Sequence, residues 1–373
     1  MSRLPQYPPI WPHTCLAVLC LLFISTSAAA AGRISARAEN RLSLAWEYDS
    51  NVLEEPSDKL SGGAGTVSLF SRVRLFSPQS VTLIDFHLGY KGHHKLAEQD
   101  RLTAGNILVN KLALTSQRWI DERWTAGAGA EFKARNIYRK NELNLLSEEG
   151  YIRGAGRLFA RRQLGQSAAL SFAYRYSFLD FETFNTFNYR AHSPSLGLSR
   201  SLAPNLAGSV QYSFTNRLCH RLVNVRDPDG VLVQLDRRQQ DRLNQLDFTV
   251  SYTRRRLVNF TWSVQRNDSN NYGFSYWNNR FSILLAGKLP HAFFLNAYLF
   301  FELKRYSDEV DVPILVDIIT EENDNNGAIV KLSRPLNESL EAALTVSLYR
   351  NESTIRELNF NKSLLNFALI CRF

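Results

Sequence analysis

Apolar and polar residues alternate with a period of two along most of this chain. From Trp124 to Ala134 the even positions are Trp124, Ala126, Ala128, Ala130, Phe132 and Ala134, against Thr125, Gly127, Gly129, Glu131 and Lys133. From Ala168 to Phe178, Leu170, Phe172, Tyr174 and Tyr176 face Ala169, Ser171, Ala173, Arg175 and Ser177. Leu246, Phe248, Val250 and Tyr252 alternate with Gln245, Asp247, Thr249 and Ser251, and Phe260, Trp262 and Val264 with Thr261, Ser263 and Gln265. At the carboxyl end Leu365, Phe367, Leu369, Cys371 and Phe373 share one parity, with Leu364, Asn366, Ala368, Ile370 and Arg372 on the other. Successive side chains of a strand point to opposite faces, so each segment predicts a strand with one apolar and one polar face. The segments are long for a soluble β-sandwich.

Short and long connections alternate. Short ones are predicted near Ser77–Gln79, Leu164–Gln166, Ala203–Asn205, Arg254–Arg256, Leu289–His291 and Arg334–Ser339, with a longer one over Ser116–Glu122. Polar loops are predicted near 50–63, 91–103, 136–149, 181–188, 217–241, 267–273, 306–325 and 351–357. This spacing gives about sixteen strands, an even number that returns both ends to one side. An echo supports a repeating hairpin. Arg266–Ser269 and the strand through Phe281, Ile283 and Leu285 align with Arg350–Ser353 and Leu365, Phe367 and Leu369. Asp49-Ser50-Asn51 repeats the theme, and its side chains are expected to bond their own backbone and cap a strand end. Gly127, Gly129, Gly154 and Gly156 lie inside strand patterns with no helix behind them. Close approach of a neighbour or barrel curvature is expected there, not a phosphate loop.

Cys15–Ile24 is an apolar run of the length of a signal-peptide core, followed by small residues with Ala28 and Ala30 placed for cleavage before Ala31. The predicted organisation is a signal peptide over 1–30, a short segment over 31–38, and one domain over 39–373. No later uncharged apolar stretch is long enough for a transmembrane helix, yet 12% of residues are aromatic. That combination suits a membrane wall built from alternating strands. Two cysteines, Cys219 and Cys371, remain after cleavage and fall at opposite ends of the predicted wall, too far apart for a disulfide. No Cys/His cluster has metal-ligand spacing, and no metal or cofactor is expected.

The final strand, ending on an aromatic residue, resembles the closing strand of bacterial outer-membrane β-barrels. The resemblance implies an all-β fold, a single antiparallel transmembrane up-and-down β-barrel. It also implies that Phe373, Cys371, Leu369 and Phe367 are a signal read by the barrel assembly machinery. Asp49-Ser50-Asn51-Val52 after the first strand, and Arg350-x-x-Ser353 before a strand ending in Arg372-Phe373, are similar to two groups. One is porins associated with exopolysaccharide systems. The other is the barrel domain of surface-lipoprotein assembly modifiers, which usually follows tetratricopeptide repeats; none are recognised here, which weakens that likeness. No periplasmic plug domain is recognised, which argues against a large energy-coupled transporter.

In such a barrel the chemistry lies on the inner wall. Parity places Arg72, Arg74, Lys133, Arg135, Arg153, Arg157, Arg175 and Arg280 there, with Glu47, Asp85, Glu131 and Asp247 as acidic partners. Two readings stay open. The cations form a ladder that draws anionic solutes or a polysaccharide through the pore, or they pair across strands and brace the wall. The formal net charge of +9 suits pore lining or contact with lipopolysaccharide phosphates. Nucleic acid is not an expected partner of an exported chain. The segment 217–241 carries Asp229-Gly230 between apolar residues, a hairpin signal. The expected state is a strand pair projecting outside the cell, and folding into the lumen as a constriction is the alternative. Catalysis needs a nucleophile with a base in reach. His192-Ser193 does not provide it, because adjacent strand residues face opposite ways, and His93-His94 reads as a solvated basic tip. The expected function is passage of small solutes or an exopolysaccharide across the outer membrane. The alternative is a non-conducting structural, adhesive or export-accessory barrel.

Overall fold

A computed structural model describes residues 34–52, 59, 61–93, 106–138, 150–308, 326–351 and 360–373. The expected signal peptide and its cleavage site, His94, Glu352-Ser353 and most of four predicted loops lie outside the described residues.

Sixteen strands form one closed antiparallel barrel. They are β1 (Ser35–Asp49), β2 (Gly62–Ser77), β3 (Ser80–His93), β4 (Asn106–Trp119), β5 (Trp124–Tyr138), β6 (Tyr151–Leu164), β7 (Ala168–Phe181) and β8 (Tyr189–Ala203). The second half is β9 (Leu206–Arg226), β10 (Leu232–Thr253), β11 (Arg256–Ser269), β12 (Tyr276–Lys288), β13 (Phe294–Tyr306), β14 (Asn326–Pro335), β15 (Leu340–Asn351) and β16 (Phe360–Arg372). Each strand pairs with its sequence neighbours, and β1 pairs with β16 to close the wall. The strand count and the short turns agree with the sequence pattern. β1 starts at Ser35, within the segment expected to precede the barrel, and Ser35 is already opposite Phe76.

Several expected loops are shorter than their polar sequence suggested. β4 runs on to Trp119, so the turn after it covers 120–123. His93 closes β3 opposite Ala64 instead of standing in a loop. The segment 217–241 is almost entirely strand. It is the outer half of the long β9–β10 hairpin, turned at Asp227–Val231. There the Asp227 carboxylate accepts the backbone N–H groups of Asp229 at 3.0 Å and Val231 at 2.8 Å, and Gly230 takes the left-handed φ of 84°. Two register shifts, at Leu235/Arg238 and Arg238/Gln240, let this arm bend away from the regular ladder.

The closed sheet has no apolar centre. Its apolar face is outside: Leu44, Trp46, Leu158, Phe172, Leu198, Leu348 and Phe367 are all exposed. Phe367 is 49% exposed while its neighbour Ala368 is 8% exposed, the alternation of a wall seen from its two faces. Trp262 lies between Phe248 and Phe281, its cross-strand neighbours, with ring centroids 5.3 and 6.2 Å away. Phe281, Ile283 and Leu285 on β12 face outward as Leu365, Phe367 and Leu369 do on β16, so the sequence echo is one of lipid-facing parity. In water an outer surface of this kind would aggregate. In hydrocarbon it is the favourable face, and a closed barrel leaves no unpaired strand edge.

Two strand glycines, Gly127 on the inner face and Gly154 on the outer, exist for close packing. A Cβ on Gly127 would lie 2.3 Å from the Phe159 ring, and one on Gly154 would lie 2.3 Å from the Phe178 ring. Gly156 has open space around it, so close approach does not explain that glycine. One small buried cluster sits near the loop end, where Tyr151, Leu179, Phe181 and Phe187 pack together.

Candidate functional site on the inner wall

Register decides what each inward side chain meets. The candidate lining residues Arg72, Arg74, Asp85, Glu131, Lys133, Arg135, Arg153, Arg157, Arg175, Asp247 and Arg280 all share the parity opposite the apolar outer face. Their surroundings divide into three kinds.

From β1 to β5 the charges are mostly paired across strands. Arg72 forks onto Asp85 with two bonds of 2.7 and 2.8 Å. Lys91 reaches Glu47 at 2.6 Å, Lys111 reaches Glu131 at 3.3 Å, and Arg74 lies 3.9 Å from Glu39. Nearer the turn end, Glu341 is held between Arg372 and Lys331, and these three border a niche of about 220 Å³ with Arg41 and His87. Here the bracing arrangement holds.

From β4 to β7 like charges are set side by side. Lys133 lies directly opposite Lys111 on one side and Arg153 on the other. Arg157 on β6 lies directly opposite Arg175 on β7. Among the described residues no carboxylate pairs with Arg153, Arg157 or Arg175. Aromatic rings support several of these cations: Lys133 and Arg135 lie 5.2 and 5.5 Å from the Tyr151 ring, and Arg157 lies 5.3 Å from Phe159.

From β8 to β13 the inner wall is rich in hydroxyls and amides, with a few charges set among them. Thr215 donates to Ser193 at 2.8 Å, and Thr249 and Thr261 share a bond of 3.1 Å. Gln265 donates to Gln245 at 2.9 Å, Asn278 donates to Gln265 at 3.1 Å and also to Glu302. Asp247 accepts from Gln245 at 2.8 and 2.9 Å instead of meeting a cation. Arg280 lies opposite Glu302, with its guanidinium 5.4 Å from the Phe300 ring. The amide ladder was not singled out by sequence reasoning, although the parity of Gln245 and Gln265 was in plain view.

A second feature escaped the sequence altogether. At the base of the long hairpin, Arg221 is sandwiched between Phe187 at 4.5 Å and Phe274 at 4.6 Å. Arg217 lies over Tyr189 at 4.9 Å, opposite Asp241. Asp241 accepts from Gln239, Asn271 donates to Gln239 at 2.7 Å, and the Asn271 side-chain oxygen accepts the Asn224 N–H at 2.7 Å. Arg217, Cys219, Arg221 and Val223 continue the inward parity of β9. The connections 182–188 and 270–275 therefore cover the inner face there. Phe187 and Phe274 come from two short loops far apart in sequence, which left no local signal.

His192 and Ser193 face opposite ways, as alternation required. His192 shares a 2.6 Å bond with the outward Tyr174, whereas Ser193 accepts from Thr215 inside. Cys219 and Cys371 are both free, Cys219 buried and Cys371 half-buried. Among the described residues no three His, Cys, Asp or Glu side chains come together as a metal site. Phe373 completes the seam through two backbone bonds with Asn40, of 3.2 and 3.1 Å, and its ring is exposed.

No family model matches the sequence, and no curated protein matches it. Solved structures with a similar architecture include OccAB1 of Acinetobacter baumannii, at 9% identity, 91% of this chain, 96% of that chain and a TM-score of 0.49. The Pseudomonas putida toluene transporter TodX is similar at 10% identity, 90% of this chain, 89% of that chain and a TM-score of 0.39. A bacterial polysaccharide outer membrane secretin is similar at 10% identity, 90% of this chain, 98% of that chain and a TM-score of 0.40. The cargo named for each is its own. The closed sixteen-strand wall, with its apolar exterior and polar inner face, has the architecture of a transmembrane β-barrel.

Proposed function

We propose that the barrel is a channel that passes small anionic solutes or an acidic polysaccharide across the outer membrane. The observation that carries this reading is the facing pair Arg157 and Arg175, set beside Lys111, Lys133 and Arg153 with no carboxylate partner for either arginine among the described residues. Like charges placed directly opposite destabilise a sheet. A wall that needed only bracing would do better with the Arg72–Asp85 arrangement found elsewhere in it. Barrels of sixteen strands have an interior wider than side chains fill. The facing amide and hydroxyl ladder supports the carbohydrate branch, because its donors and acceptors suit sugar hydroxyls. Lipopolysaccharide and the barrel assembly machinery are the partners this reading implies, the latter through Phe373, Cys371, Leu369 and Phe367. Catalysis has no part in it. Single-channel recording in planar bilayers tests it: discrete conductance steps are expected, and a protein that inserts but never conducts would remove it.

A second reading, a non-conducting barrel with a structural, adhesive or export-accessory role, is favoured by one observation. Phe187, Arg221 and Phe274 stack over the inner face at the loop end. The same recording separates the two readings.

A further inference from the structure

A ring of arginines surrounds the opposite, turn end of the barrel on its outer face. Arg118 on β4, Arg162 on β6, Arg200 on β8, Arg256 on β11 and Arg334 on β14 all lie within the last few residues of their strands at that end. Each has the outward parity, opposite Ala126, Leu170, Ala168, Gly287 and Ala342 respectively. All five are exposed. Among the described residues none pairs with a carboxylate. The Arg118 guanidinium donates to the Gln79 side chain at 3.2 Å, Arg162 lies 5.4 Å from the Trp124 ring, and Arg334 lies 5.3 Å from the Phe293 ring. These contacts position the guanidinium groups and leave their charge uncompensated. Of the described acidic residues in the turns, Asp121, Glu122 and Glu338, none forms an ion pair with these arginines, and Asp121 accepts the backbone N–H groups of Arg123 and Trp124 at 2.7 Å each. At the other rim two outward arginines are paired with carboxylates, Arg190 with Asp180 at 2.7 Å and Arg266 with Asp268 at 2.9 Å.

The ring borders the apolar exterior. Toward the membrane, Leu114, Leu158, Leu198, Tyr252 and Val330 are exposed next to it. A ligand that satisfies both surfaces needs an anionic head and an acyl chain. Guanidinium groups bind phosphate oxygens in a forked geometry, and basic side chains at a membrane surface attract anionic lipid heads. The short turns mark this rim as periplasmic.

We propose that Arg118, Arg162, Arg200, Arg256 and Arg334 form a binding ring for the phosphate head groups of anionic phospholipids in the periplasmic leaflet. The ring selects the lipid shell of the barrel independently of anything that passes through the lumen. The test uses the full barrel reconstituted in phosphatidylcholine vesicles that carry a trace of spin-labelled phosphatidylglycerol or spin-labelled phosphatidylcholine. Electron paramagnetic resonance reads the fraction of each label immobilised at the protein. The native barrel should enrich phosphatidylglycerol about fivefold at each ring site, falling as salt is raised. Inorganic phosphate added at constant ionic strength should leave that enrichment in place. The variant R118Q/R162Q/R200Q/R256Q/R334Q should lose it while still migrating as a folded, heat-modifiable barrel. The opposite-rim variant R242Q/R305Q should keep it. If the fivefold variant does not fold, R200Q and R256Q alone should each lower the enrichment. Equal immobilisation of the two lipids by the native barrel overturns the proposal. So does enrichment that survives loss of the ring, an equal loss in R242Q/R305Q, or displacement by inorganic phosphate.

Discussion

Arg157 and Arg175 face each other across neighbouring strands on the inner wall, with no carboxylate beside either among the described residues. Replacing one of them by glutamate creates an opposite-charge cross-strand pair in place of a like-charge one. The variant R157E should be more stable than the native barrel by about 0.5–1 kcal/mol, seen as a higher urea midpoint for unfolding from vesicles. An unchanged or lower midpoint would mean that the two guanidinium groups do not repel each other where they stand.

The seam between the first and last strands rests on a compact polar knot. Asn51 is fully buried, its N–H donates to Asp49 at 2.9 Å, and its side chain donates to the Asn361 carbonyl at 3.2 Å. Ser50 Oγ accepts the Ser363 N–H at 2.8 Å, and Lys362 lies 3.1 Å from Asp49. The motif thus caps its own strand and also fastens the opposite end of the sequence. Asn51→Ala leaves the Asn361 carbonyl without that donor and should cost about 1–2 kcal/mol. The temperature at which the folded band disappears on semi-native electrophoresis should fall, and an unchanged temperature would remove the seam role of Asn51.

Phe373 holds Asn40 through its backbone, while its ring stands free on the outer face. The substitution Phe373→Ala keeps both backbone bonds and removes only the ring. It should lower the amount of barrel in the outer membrane without changing the urea midpoint of barrel folded in vitro. A drop in both would assign the residue to stability, and no change in the membrane-inserted amount would undercut its role as an assembly signal.

Much of this wall was legible in the sequence, because a period of two is a local property. Parity alone set Phe367 outward and Arg372 inward, and turn residues such as Pro78 and Gly165 marked the strand ends. What stayed hidden depends on register between strands. Nothing in the segment around Arg72 says that it meets Asp85, or around Arg157 that it meets Arg175. The β9–β10 hairpin was signalled by Asp229-Gly230, but its continuity with the barrel strands was not, because Asp236–Gln240 has no apolar face. That part of the arm does not run in the regular ladder, so membrane burial put no apolar alternation on it. The covering of Arg221 by Phe187 and Phe274 joins two short loops and could not be read from either.

The long hairpin and the covered inner face make separable predictions for conductance. Removing residues 227–231 trims only the turn, which lies beyond Asn224 and Arg226 and their bonds to the 270–275 connection. Conductance should stay the same. Arg221→Ala removes the cation between Phe187 and Phe274 and should raise the conductance or the open fraction. A large rise on trimming the tip would place the constriction in the hairpin itself.

The central claim is that unpaired inner-wall cations set what the barrel passes. The most direct measurement is the reversal potential of the native protein in a planar bilayer under a salt gradient, compared with that of R157E/R175E. The account predicts anion preference in the native barrel and a shift toward cations in the variant. Cation preference in the native barrel, or an identical reversal potential in both, would contradict it.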